Sequence, residues 1–295
     1  MVKLKLKNMK LSKLFLVLAA VSLMVSSCEK NGSELTTDDI NLADDDAVAE
    51  FVFDDIFNTA ESASLLLEGS EKSLDGLKGS TVVLVSDSCP TVSVELVDET
   101  VRVITVDYGE GCTGFYGQTR SGKIIITQSG RRITEGSFRT VTFDNYIFND
   151  IVVEGTKVTT NQGLNDNQNM VFSTTLTGGK LIFPDETVVE REFSHEREWI
   201  AGFMTINPWD DECLVTGTAT GINYNGVSYQ NEITSALYWK RICPFFVSGT
   251  ISITRDGADP VFLDYGDGEC DEYATITRGE DVREIILRKR FRVIR

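Results

Sequence analysis

Over residues 47–69 apolar side chains return every three or four positions, at Val48, Val52, Ile56, Ala60, Ala63 and Leu67, while Glu50, Asp54, Asn58 and Glu61 fall elsewhere. That spacing predicts a helix. Asp44 to Asp46 would cap it and place favourable charge at the positive end of its dipole, and Gly69 would stop it. Phe51, Phe53 and Phe57 widen the apolar stripe, so the helix is expected to pack on a sheet. From about residue 80 the period becomes two. Runs such as TVSVELV, VRVITVDYG, KIIITQSG and FRTVTFDNYIF are rich in Val, Ile, Thr, Phe and Tyr and are separated by Gly, Asn and Asp. Ile251 and Ile253 alternate with Ser252 and Thr254, and Val141, Phe143 and Tyr146 stand among polar neighbours, as half-buried antiparallel strands require. The expected fold is all-β: an antiparallel meander over 80–295 that bends into a sandwich or open barrel, with one N-terminal helix packed on it.

Two repeats punctuate this β region. A glycine followed by Thr, Ser or Lys opens an apolar strand at Gly122, Gly136, Gly155, Gly217 and Gly249, which reads as a set of bulges or strand-entry turns. A longer phrase occurs twice: Cys89-Pro90 leads to DYGEGC (107–112) and Thr119-Arg120, and Cys243-Pro244 leads to DYGDGEC (264–270) and Thr277-Arg278. The order of parts suggests two related lobes in one continuous domain, since no Pro- or Ser-rich linker divides the chain.

The N-terminus carries lysines at 3, 5, 7, 10 and 13 and then the apolar run LFLVLAAVSLMV, too short to span a bilayer and characteristic of a signal peptide. Val25-Ser26-Ser27-Cys28 resembles the bacterial lipobox, which implies a leader over 1–27, lipidation of Cys28 and attachment to a membrane through that anchor. Glu29, in place of Asp, favours the outer membrane, with exposure at the cell surface open. Residues 28–46 then read as an acidic, solvated tether. Five of the 28 basic residues fall within the leader, which leaves 23 against 45 acidic residues and argues against a nucleic-acid partner.

An exported chain meets an oxidising compartment, so Cys89 with Cys112 and Cys243 with Cys270 are the natural disulfide pairs. Each is worth about 3 kcal/mol on the chain-entropy estimate. Cys213 is left over. A calcium loop is the competing reading of the doubled phrase, but neither copy fits the D-x-[DN]-x-[DN]-G spacing.

The stretches DYGEGCTGFYGQTRSGKIIIT, VTFDNYIFNDIVVEGTKVT and VSGTISITRDGADPVFLDYGDGECDEYATITRGEDVREIIL resemble a family of Bacteroidota lipoproteins without an established activity. The resemblance implies an exported, anchored β protein and assigns no catalytic residue, cofactor or metal.

Candidate chemistry is sparse. His195 is the single histidine, which rules out a two-histidine metal centre. In VEREFSHEREWI, strand alternation puts Arg191, Phe193, His195, Arg197 and Trp199 on one face and four glutamates on the other. The cationic and aromatic face is either half of a set of cross-strand ion pairs or a ligand surface. Trp209, in NPWDDEC, stands in a loop beside three acids, a combination suited to sugar binding. The phosphate-cradling loops GxxxxGK[ST] and GxGxxG are absent. The reading is a binding or structural envelope protein with a glycan or another envelope protein as partner; its alternatives are a carbohydrate-binding module and a carboxylate-dependent glycan-active enzyme. The basic tail at 288–295 faces either water, the acidic helix or an anionic glycolipid.

Overall fold

The computed structural model describes residues 34–74, 79–85, 89–98, 100–114, 117–205 and 207–287. The expected leader, Cys28, the first part of the tether and the tail at 288–295 lie outside the described residues.

The period-two segments form one antiparallel sheet of fifteen strands. In chain order these are β1 (Thr81–Val85), β2 (Thr91–Leu96), β3 (Val101–Asp107), β4 (Cys112–Thr113), β5 (Thr119–Ser129), β6 (Phe138–Phe148), β7 (Ile151–Leu164), β8 (Met170–Ile182), β9 (Val188–Ala201), β10 (Glu212–Ile222), β11 (Ser228–Lys240), β12 (Ser248–Arg255), β13 (Val261–Asp267), β14 (Tyr273–Arg278) and β15 (Asp281–Ile286). Each strand pairs with the next, except that β4 is a short flap on β5 and β3 pairs directly with β5. The sheet is open, with β1 and β15 at its margins. Connections are short hairpins, the topology that a meander of alternating strands produces.

The helix, α1 (Thr37–Leu74), is 38 residues long and begins ten residues before the predicted start. Its N-terminus is closed by a capping box: Thr36 Oγ1 accepts from the Asp39 N–H at 3.2 Å, and Asp39 Oδ2 accepts from the Thr36 N–H at 2.8 Å. Asp44 to Asp46 are therefore interior residues and no cap. At the other end α1 continues through Gly69; Glu68, which accepts from the Arg132 N–H at 2.6 Å, ties that turn to the sheet. The expected solvated tether is corrected accordingly. From Thr37 onward it is helix, and Asp39, Asp45 and Asp46 are buried.

α1 is enclosed by the sheet, a tighter arrangement than a helix lying on one face. Its first turns, with Leu42, Ala43 and Ala47, join a core with Val215, Ile251, Leu263 and Ile276 from the later strands. Its remainder, with Val52, Ile56, Ala60 and Leu67, joins a second core with Val94, Ile104, Ile124 and Phe148 from the earlier ones. At roughly 25 cal/mol per Å² of apolar surface removed from water, these two clusters hold the curved sheet around the helix.

Four of the five glycines in the first repeat sit where the strand register shifts, at Gly122, Gly155, Gly217 and Gly249. These are bulges that bend the sheet. Gly136 instead lies in the turn that leads into β6.

The doubled phrase is a tight turn pinned by a disulfide. In each copy the aspartate accepts from the glycine N–H two residues on, Asp107 from Gly109 at 2.8 Å and Asp264 from Gly266 at 2.9 Å. Cys89 pairs with Cys112 and Cys243 with Cys270, with Cα separations of 5.7 and 5.3 Å. Each bridge closes the open end of a hairpin, β2–β3 near one margin and β12–β13 near the other. Each copy also sends its arginine to the helix, Arg120 to Asp55 and Arg278 to Asp39. In both copies the strand that carries the Thr-Arg pairs with the strand of the Asp-Tyr-Gly, β5 with β3 and β14 with β13, but Thr119-Arg120 opens β5 whereas Thr277-Arg278 closes β14. Both copies belong to one continuous sheet, each bracing one margin.

Candidate functional site

Charged side chains of α1 meet the concave face of the sheet in a series of ion pairs. Asp39 faces Arg278 at 2.7 Å and Arg255 at 3.0 Å; Asp46 and Glu50 share Arg191; Asp54 holds Arg197 at 2.7 Å; Glu61 takes Arg139 and, at 3.5 Å, Arg132. Most of these groups are buried. Buried ion pairs contribute little net stability over an apolar core, but each partner is costly to leave alone, so the series fixes the axial and rotational position of α1.

This arrangement assigns the residues of the charged strand. On β9 the predicted alternation is observed: Arg191, Phe193, His195, Arg197 and Trp199 all point inward and are buried. They form no ligand surface, since the helix already covers them. The counter-ions of Arg191 and Arg197 lie on α1, not across neighbouring strands. His195 is stacked on Phe193 at a centroid distance of 4.3 Å, with Nδ1 3.9 Å from Glu50. Burial, together with Arg191 and Arg197, lowers its pKa well below the ordinary histidine value and keeps it neutral. Cys213 is a buried free thiol. Trp199 packs against Phe57, Phe172 and Phe203.

Trp209 is different. It stands on the 3-10 turn Pro208–Asp210, more than half exposed, at the rim of a cavity of about 820 Å³. One stripe of α1 forms the floor: Phe51, Asp55, Asn58, Ser62 and Leu66, spaced by three and four residues. One wall comes from the first braced margin, with Pro90, Val106, Tyr108 and Arg120; the other comes from the second, with Trp239, Arg241, Ile242 and Pro244. The prolines of the two Cys-Pro pairs, Pro90 and Pro244, thus line the same space. Phe51 closes its base and touches both halves of the sheet, Phe148 at 6.0 Å and Phe245 at 5.3 Å between ring centroids. The volume falls within the range that small ligands occupy.

The two arginines of the cavity are held in place. Arg120 binds Asp55 through two nitrogens and lies over the rings of Phe148 and Tyr108. Arg241 donates to the Asn58 carbonyl at 3.0 Å and to Ser62 Oγ at 2.6 Å. Burial raises the pKa of Asp54 and Asp55, and Arg197 and Arg120 oppose the rise. Neither carboxylate is a free acid or base. The sequence singled out Trp209 and showed Arg120 only as part of the repeat; nothing in it marked Arg241 or the helix stripe as part of one site.

A smaller acidic recess of about 170 Å³ includes Asp264, Asp267, Glu269 and Asp271. Asp264 and Asp271 each spend an oxygen on a local backbone N–H. Among the described residues no group of three or more His, Cys, Asp or Glu is placed to hold a metal ion.

Comparison of the chain with family models, curated proteins and solved structures finds no match. The site therefore rests on its own geometry.

Asp211 offers a test of the electrostatics behind the cavity wall. Burial pushes its carboxyl up to about 6, with Arg241 4.0 Å away opposing the rise. An acid whose pKa is raised by folding favours the folded state below its ordinary value, near 4, and loses that contribution as pH climbs through 6. Asp211→Asn is expected to raise the melting temperature at pH 7.5 and to leave it unchanged near pH 4. Thermal melts at the two values check this; an equal effect at both would remove the assignment.

Proposed function

We propose that the protein is a non-enzymatic binding protein of the bacterial envelope, anchored through lipidated Cys28 to the outer membrane, which holds its partner in the cavity between the two disulfide-braced margins. The observation that carries this reading is the cavity itself: about 820 Å³, floored by a fixed stripe of α1 and rimmed by the exposed Trp209. Its support on location is the lysine-rich leader, the lipobox resemblance at Val25 to Cys28 and the resemblance to Bacteroidota lipoproteins. Oxidised cysteine pairs agree with an exported chain.

A glycosidase needs two carboxyl groups that can exchange protons across a scissile bond. Of the three carboxylates that line the cavity, Asp54 and Asp55 are instead engaged by Arg197 and Arg120, and Asp150 is exposed, which favours binding over turnover.

An antibody to the mature chain applied to intact cells, lysed cells and a Cys28→Ala strain tests the address. Labelling of intact cells that disappears with Cys28→Ala is expected. Signal only after lysis moves the protein to the periplasmic face, and fractionation with the inner membrane would overturn the outer-membrane reading.

A further inference from the structure

We infer that the cavity takes an uncharged glycan, with a sugar ring against Trp209 and hydroxyls directed at the polar stripe of α1; this rests on reading the cavity as a ligand site. The first consideration is charge. Asp54 and Asp55 are neutralised by Arg197 and Arg120, and Arg241 already serves Ser62 and the Asn58 carbonyl, with Asp211 4.0 Å away. A ligand carrying a full charge would compete with these pairs in a partly dry site, where an uncompensated charge is costly.

The second is the hydrogen-bonding capacity left over. Three side chains that line the cavity each keep a polar atom with no hydrogen bond in the protein: Asn58 Oδ1 and Gln118 Oε1, which accept, and Arg241 Nη1, which donates and stands 4.0 Å from Asp211 Oδ2. The Arg241 side chain is 7% exposed. A hydroxyl group both donates and accepts, so a polyol suits side chains of both kinds once they turn towards it. A carboxylate or phosphate accepts only, an ammonium donates only, and an acyl chain does neither and would offer these polar side chains nothing.

The third is Trp209. Asn207 Oδ1 accepts from its backbone N–H at 3.3 Å and fixes the turn, while the indole remains open to solvent. A positioned, exposed aromatic ring beside polar groups suits a pyranose, whose C–H face is apolar and whose edge carries hydroxyls. The cavity volume accommodates a short oligosaccharide.

The test is calorimetric and fluorescence titration of the full lipidated chain in detergent with neutral oligosaccharides of glucose, mannose, galactose and xylose, with oligouronides, and with palmitate. Saturable binding of a neutral oligosaccharide is expected, weakened at least tenfold by Trp209→Ala and several-fold by Gln118→Ala, and largely kept by Trp209→Phe. Thermal melts of the variants, which alter rim or wall residues and no ion pair, establish that they are folded. Binding of palmitate or oligouronide in the cavity with no neutral oligosaccharide bound would overturn the glycan assignment and leave the cavity as a ligand site. Absence of binding by every probe would overturn both. A neutral oligosaccharide bound with equal affinity by the wild type, Trp209→Ala and Gln118→Ala would place the sugar elsewhere and overturn this site.

Discussion

Replacing Arg191 with methionine is expected to destabilise the protein by about 3–5 kcal/mol, a large part of the ~5–15 kcal/mol that holds a domain folded. Arg191 is 1% exposed and bonds Asp46 through one nitrogen and Glu50 through another. Asn231 also donates to Asp46, at 2.9 Å to each oxygen, and cannot neutralise it. Without the guanidinium two carboxylates stay in the core with no cation to share. Burial already raises the Asp46 pKa and Arg191 opposes the rise, so in the variant the carboxyl would take up a proton more readily. The sign follows: the deficit of Arg191→Met should be full at neutral pH and should shrink as pH falls into the carboxylate range. Replacing all three groups by apolar ones, with Asp46→Leu and Glu50→Leu added, should recover most of the loss, because the desolvation cost of the charges leaves with them. Urea denaturation of the three proteins at two pH values measures each effect. A loss below about 1 kcal/mol for Arg191→Met would show that the series of ion pairs does not position α1.

The second large effect is expected at Gly217. Its φ of +133° is one that L side chains rarely adopt, and a Cβ there would run into the carbonyl oxygen of Ser194 and stand 2.9 Å from the Cα of His195. Both neighbours are backbone of β9, in the middle of the sheet, and cannot swing aside. Gly217→Val combines backbone strain with overpacking, each worth about 1–3 kcal/mol, so a loss of roughly 3–5 kcal/mol is expected. Moving β9 also displaces Arg191 and Arg197 from their carboxylates. The urea midpoint should fall at constant m-value, and the next residue supplies the control: Thr218→Val, exposed on β10, should stay close to wild type. Equal midpoints for the two variants would show that the bulge is not required.

The sheet was legible because its cause is local. Alternation in segments such as Ile124 to Gln128 and Glu190 to Trp199 reports burial on one face, and that burial is what the structure shows. The disulfide pairs were legible too, since a signal-like leader and two matched cysteine spacings leave few choices. The helix was misplaced for a physical reason. Its first ten residues carry five aspartates, Asp39, Asp45 and Asp46 among them, and few apolar residues, which reads as solvated chain. Those acids are buried because basic or amide groups meet them from strands far along the sequence, Arg278 at Asp39 and Arg191 at Asp46, and no local pattern encodes such a partner. The cavity was hidden in the same way. Its residues run from Phe51 to Pro244 and meet only after the sheet has curved.

The place of α1 in the chain also bears on how the protein is made. Leu35 donates its N–H to Asp281, 246 residues away, and Asp39 waits for Arg278. The element at the centre of the finished molecule is therefore translated before nearly everything that covers it. Until those strands are made it has no sheet to enter, and an apolar helix left waiting would aggregate. The acids that later become buried counter-ions keep the nascent segment hydrated and mutually repelling until the last basic strand arrives.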